Sequence, residues 1–164
     1  MDEFISNWKA DSVKNEDENF DFLTALKMKN ARRVDALAAE IHAEAFQKIN
    51  CLDCANCCKT LGTLVTKADA IRISDFLEIS TQEFHEIYLE KDEEGDLIIK
   101  TLPCSFLAED NTCKIYSVRP KECKEYPHTH KKGFASRRFM HSQNTLTCPA
   151  VFYIVEKMKN IYRY

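Results

Sequence analysis

The segment "CLDCANCC" packs Cys51, Cys54, Cys57 and Cys58 into eight residues. A lone cysteine reads well as a small buried apolar residue. Four in one short loop do not, because few compact loops can hide that many thiols. Thiolates bind soft and borderline metals strongly, and four that converge complete a tetrahedral zinc site or hold an iron–sulfur cluster. The fold is therefore constrained at the outset: segments distant in the chain must bring further sulfur to this loop.

The setting of the thiols decides between metal and disulfide. The amino terminus "MDEFISNWKA" has two acidic residues and no apolar run, so no secretory signal is expected. No stretch approaches the roughly 18 apolar residues of a membrane span. A cytoplasmic location follows as the expectation, and there thiols stay reduced. The eight cysteines then read as metal ligands or redox groups and not as four bridges.

Cys51, Cys54 and Cys57 follow C-x2-C-x2-C, the three-ligand run of cluster-binding ferredoxins. Its spacers let loop N–H groups point at the sulfurs. The fourth ligand in such proteins often precedes a proline, as Cys148 does here. Cys58, Cys104, Cys113 and Cys123 make up the other four. Adjacent side chains seldom aim at one point, and a vicinal Cys57–Cys58 disulfide is strained. The pair can serve two sites, or one member can be a reserve thiol; in a helix, Cys51, Cys54 and Cys58 share a face. Zinc knuckles usually come as paired C-x2-C units, which these later spacings do not supply, so an iron–sulfur cluster is favoured over Zn2+. Lys114, Arg119, Lys121 and Lys124 flank Cys113 and Cys123 and can offset the anionic site. His128, His130 and His141 are weaker ligand candidates read as surface residues, and His42 and His85 as ordinary helix residues.

Charge is uneven. Residues 1–113 carry 12 Lys and Arg against 23 Asp and Glu, a balance of −11; residues 114–164 carry 11 against 3, a balance of +8. The basic third balances the acidic part or an anionic site, and without a nucleic-acid motif no nucleic-acid partner is expected. A protein partner is open, through an amphipathic helix. No membrane association is expected.

The pattern of apolar residues gives a mostly helical α+β chain with a short hairpin, organised around a cysteine-ligated metal centre. Residues 1–49 form a helical segment packing on the core, and 50–164 the cysteine-cluster metal-binding domain. Phe4, Ile5 and Trp8 suit a short amphipathic turn. Leu23, Leu26, Val34, Leu37, Ile41 and Ala45 recur at helical steps and predict one helix covering the cysteine-bearing core. A strand at Thr63–Val65 leads to a helix capped by Thr66, with Ile71, Phe76 and Leu77 on its apolar side. A second helix is capped by Ser80 or Thr81, with Phe84, Ile87 and Tyr88 inward. "LIIKTL" reads as a strand, "CSFLAEDNTCKIY" as a hairpin and "SVRPKECKEYPH" as a turn or single helical turn. The segment 129–147 has no clear assignment. Pro149 starts a final helix with Val151, Ile154, Val155, Met158 and Ile161 as its stripe.

These motifs, "CLDCANCC", "LVTKADAIRI", "LPCSFLAEDNTCKIYSVRPKECKEYP" and "CPAV", occur in one order from Cys51 to Val151. In this the chain resembles the CxxCxxCC cysteine-cluster (YkgJ-type) family of zinc- or iron-chelating domains. The resemblance implies a ligand role for Cys51, Cys54, Cys57, Cys58, Cys104, Cys113, Cys123 and Cys148. It also implies that Cys104–Pro120 is a ligand-delivering hairpin and turn, with Tyr116, Arg119 and Pro120 in support. Related modules accompany flagellin lysine N-methylation, but this sequence offers no segment for a separate methyltransferase domain.

The expected function is metal binding through clustered thiolates, with the biochemical role undefined. The alternative is a redox or methyl-transfer enzyme component built on the same centre, for which an open coordination position is the mark. A thiol–disulfide sensor at Cys57 and Cys58 is a third reading, weakened by the lack of a βαβ pattern. With only Gly62, Gly95 and Gly133 present, no G-x-G-x-x-G or P-loop exists, and no Ser/His/Asp arrangement stands out. Catalytic residues are not assigned.

Overall fold

Two stretches of chain, one on each side of the cysteine-rich segment, fold together. The computed structural model describes residues 2–164, without the side chains of Asp2, Glu3 and Ile5. It has two compact units, Met1–Asn50 with Pro127–Tyr164, and Cys51–Tyr126. The chain is mostly helical, with one two-stranded antiparallel hairpin among the described residues. The helices after Tyr126 group with the N-terminal ones.

In the first unit, α1 (Asp2–Lys14), α2 (Glu16–Ala25) and α3 (Ala31–Lys48) precede α8 (Arg138–Thr147) and α9 (Pro149–Tyr162). Phe4 and Trp8 lie on a full helix, α1, and not on a short turn; the Ile5 side chain of that expectation lies outside the described residues. The single helix expected over residues 22–50 is broken. Leu26–Met28 tighten into a 3₁₀ turn, Lys29 is extended, and the Asn30 side chain accepts from the Arg33 N–H at 3.1 Å. An asparagine that caps in this way starts a new helix more readily than it continues one.

The apolar stripe of α3, with Val34, Ala38, Ile41 and Ala45 buried, is used within this unit. It joins Phe22, Leu23 and Leu26 and the α9 residues Ala150, Val151, Ile154, Val155 and Met158. Burying each large side chain contributes roughly 1.5–3 kcal/mol, so this unit has a substantial apolar core. Pro149 occupies the first turn of α9 as expected, while Ile161 is exposed.

The stretch without a sequence assignment is tied down by Asp35, whose carboxylate accepts from the Gly133 and Phe134 N–H groups at 2.9 Å each. Gly133 takes φ +79°, a left-handed turn suited to glycine. His141 departs from its surface reading: it is fully buried on α8, stacked 4.2 Å from the Phe134 ring. The face it shares with Ser142, Asn144 and Thr145 is buried but polar, so hydropathy gave no sign of it.

The second unit holds α4 (Asn56–Thr60), α5 (Lys67–Leu77), α6 (Thr81–Tyr88), β1 (Leu89–Lys91), β2 (Leu97–Ile99) and α7 (Lys121–Glu125). Thr66 and Ser80 cap α5 and α6 through capping boxes with Asp69 and Glu83. The inward faces differ from those expected. Ala70, Ile73 and Phe84 are buried, whereas Ile71, Phe76 and Ile87 are each about half exposed. Ala70, Ile73 and Phe84 join Val65, Leu89, Ile99, Phe106 and Ile115 in a smaller core.

The hairpin also sits elsewhere than expected. β1 and β2 pair with Leu89 opposite Ile99, and Leu64 adds one bridge to Ile98. The 104–116 segment is closed by a single bridge, Leu107 to Cys113. Its loop bonds to itself instead of extending a ladder: Asp110 accepts from Thr112 N–H and Oγ1, and Asn111 sits at φ +65°. The Cys104 N–H, meanwhile, donates to the Cys58 carbonyl at 2.8 Å.

Candidate metal centre

Seven of the eight cysteines lie in the Cys51–Tyr126 unit, on four separate pieces of backbone. Cys51–Asp53 form a 3₁₀ turn, with the Ala55 N–H donating to the Cys51 carbonyl at 2.8 Å. Ala55 then takes a left-handed conformation at φ +46°, uncommon for a residue with a Cβ. This bend breaks the helical continuity that would have aligned Cys51, Cys54 and Cys58 on one face. Cys57 and Cys58 start anew on α4, and Lys59 Nζ holds the loop by donating to the Cys54 carbonyl at 2.8 Å.

Cys104 follows, latched to Cys58 by its backbone bond. The Phe106 N–H is directed at the Cys104 sulfur and the Ile115 N–H at the Cys113 sulfur. A backbone donor two residues beyond a cysteine stabilises the thiolate that a metal needs. Cys123, on α7, donates to Thr63 Oγ1 at 3.5 Å. That helix is anchored where Asp69 accepts from the Lys121 N–H and where Arg72 donates to the Val118 and Arg119 carbonyls. Arg119 donates to the Tyr116 carbonyl at 2.7 Å and lies over the Tyr116 ring, so its backbone-supporting role is the one seen.

The thiols feel one another. Burial raises the Cys104 pKa, with the Cys58 and Cys113 thiols adding to it. Burial also raises Cys113, helped by Cys58 and opposed by Arg119. Cys123 is pushed up to about 11 by burial, opposed by the Thr63 bond and reinforced by Cys58, Cys104 and Cys113. The Cys51 residue is exposed, but packing around its sulfur raises its pKa, with Cys54 and Cys58 adding. Cys58 moves down, to about 7, through its hydrogen bond with Cys57 and against burial, with Lys59 assisting.

No disulfide joins the cysteines among the described residues; the Cys57 and Cys58 sulfurs lie 4.0 Å apart, a hydrogen-bond contact far longer than an S–S bond. Nor, among the described residues, do three His, Cys, Asp or Glu side chains already stand in metal-holding arrangement. The donors are gathered without being closed. Their chemistry is nonetheless selective: soft sulfur with apolar backing from Phe106 and Ile115 fits zinc, iron or an iron–sulfur cluster and does not fit hard cations.

Cys148 lies in the other unit, at the start of α9, where it packs against that unit's apolar cluster. The histidines of that unit form arrangements of their own: His42 Nδ1 is 2.8 Å from Thr129 Oγ1, and its ring lies 4.8 Å from that of His130. Lys59 and Thr63 were not foreseen, because neither a lysine after a cysteine nor a strand threonine carries a signal of its own.

A model of the CxxCxxCC family, described as "Putative zinc- or iron-chelating domain", matches residues 50–149. The chain belongs to the CxxCxxCC family. The matched region takes in all eight cysteines, including Cys148. No solved structure matches this CxxCxxCC protein. Among its described residues no helix is long and apolar enough to cross a membrane.

Proposed function

We propose that the protein binds an iron–sulfur cluster or zinc through its clustered thiolates, and that the metal organises the Cys51–Tyr126 unit. The observation that carries this reading is the return of separate backbone segments to one unit, Cys104 bonded through its N–H to the Cys58 carbonyl at 2.8 Å, Cys113 bridged to Leu107 and Cys123 bonded to Thr63. The N–H groups aimed at Cys104 and Cys113 supply the support a thiolate ligand requires. Ligation draws the gathered sulfurs together, so binding energy becomes folding energy. The ferredoxin-like spacing of Cys51, Cys54 and Cys57 favours the cluster. A ligand role for Cys148 rests on sequence alone.

An enzyme component for redox or methyl transfer is the second reading. The exposure of Cys51 favours it, since a rim open to solvent leaves room for a substrate. The test is elemental analysis and visible absorption of protein purified without oxygen. Stoichiometric iron with sulfide and a broad band near roughly 400 nm support the cluster; colourless stoichiometric zinc selects zinc instead. Protein that folds fully without either metal contradicts the proposal. Cys54→Ser is expected to lower metal content and folded yield together.

A further inference from the structure

The seam between α3 and α9 is bonded along one part and open along another. Glu44 on α3 accepts from the Tyr153 hydroxyl at 2.7 Å and from Lys157 on α9, and Lys48 donates to Tyr153 at 3.0 Å. Residue numbers thus fall along α3 as they rise along α9, so the helices run antiparallel. Toward the start of α3 the seam widens into a cavity of about 450 Å³. That volume suits a small-molecule site, for which roughly 300–1,000 Å³ is usual.

On the α3 side the cavity is lined by Arg33, Ala36, Leu37 and Glu40, which share one helix face by their spacing. Ile161 and Arg163 line the other side. Arg163 sits in the left-handed turn that ends α9, and the antiparallel run places it toward Arg33. The lining therefore has a cationic end and an apolar floor of Ala36, Leu37 and the half-exposed Ile161. Glu40, its one acid, lies about 10 Å along the helix from Arg33.

Neither arginine makes an ion pair among the described residues. Asp35, the nearest acid on α3, is committed to the Gly133 and Phe134 N–H groups. Lys159 on α9, by contrast, pairs with Glu18 and Glu156. Arg33 also stands in a first helical turn that contains no acid, where its charge opposes the helix dipole. Helix stability does not account for a cation at that place, whereas an anion bound beside it does.

We infer that this cavity binds a monocarboxylate with an apolar tail. The carboxylate is held by Arg33 and Arg163, whose guanidinium forks match its geometry, and the tail lies on Ala36, Leu37 and Ile161. Two arginines and one glutamate give the lining a net charge of +1, which a monoanion neutralises. Glu40 repels a second carboxylate at the far end of the tail. The site lies within the helical unit and does not depend on the metal reading.

Isothermal titration calorimetry of the protein with hexanoate, hexanamide and adipate tests the inference. Hexanoate is expected to bind saturably, and hexanamide about tenfold or more weakly, because the charge-assisted bonds are lost. Adipate is expected to bind more weakly than hexanoate and to gain affinity in Glu40→Gln. A variant carrying Arg33→Gln and Arg163→Gln, both at exposed positions, should keep its thermal unfolding midpoint and lose hexanoate affinity by about tenfold or more. The comparison of hexanoate with hexanamide on wild type stands even if that variant does not fold. Absence of saturable hexanoate binding, equal binding of hexanamide or adipate, or unchanged affinity in the folded arginine variant overturns the inference.

Discussion

The two units solve the problem of stability in opposite ways. The helical unit buries Phe22, Leu23, Val34, Ile41, Val151, Ile154, Val155 and Met158 among others, and five long helices satisfy their own backbone. The Cys51–Tyr126 unit buries a shorter set around Ile73, Phe84 and Phe106 and spends much of its length in turns held by single hydrogen bonds. Apolar burial serves where helices can pack. Where loops must converge to present sulfur, burial alone is thin, and on the proposed reading cross-linking by metal takes its place. The difference teaches that the metal, on this account, is a structural partner of one unit and not of the other.

The sharpest way to break this contrast is to remove the metal. Chelation is expected to abolish amide hydrogen-exchange protection across 51–126 while α3 and α9 stay protected, since structural zinc contributes an apparent ~10–16 kcal/mol. Equal loss of protection in both units removes the contrast.

Core truncation sharpens it. Phe84→Ala should cost roughly 3–5 kcal/mol and Met158→Ala roughly 2–5 kcal/mol. Only Phe84→Ala should also weaken metal retention, measured as metal per chain after dialysis.

Acid probes the helical unit. Burial, followed by the charges of Arg137 and His128, depresses the His141 pKa from 6.5 to about 3. The folded state therefore refuses a proton that the unfolded chain accepts below 6.5. Stability from neutral His141 is fully present above that pH and declines as pH falls toward about 3, on the order of 1 kcal/mol per pH unit at most. Urea midpoints at neutral and mildly acidic pH should show this slope, and His141→Phe should reduce it.

The smallest effect belongs to a cap. Ser80→Ala removes the side chain that accepts from the Glu83 N–H at 3.1 Å and should cost about 1 kcal/mol, read from thermal unfolding of the cysteine-bearing unit.

Much of this contrast was readable in the residues themselves. Thr66 and Ser80 announced their helices because a hydroxyl cap with an acid three residues on is a local device. Pro149 did the same for α9. The stripe on α3 was correct in its members yet wrong in continuity, because Asn30 favours capping over continuation. Failures came where long-range packing decides. Ile71 and Phe76 are apolar but sit on the outer side of α5, and His141 is polar but buried, so composition misled in both directions. The cysteine motif pointed to metal chelation, and the family match agrees with it, but the order of the cysteines in space depends on the Ala55 bend and the Cys58–Cys104 backbone bond. Neither has a sequence signature.

X-ray absorption at the metal edge of anaerobically purified protein tests the central claim most directly. The account predicts a first shell of sulfur alone, at about 2.3 Å for zinc or iron held by thiolates. A shell dominated by nitrogen or oxygen would contradict it, as would a fully folded protein with no metal to measure.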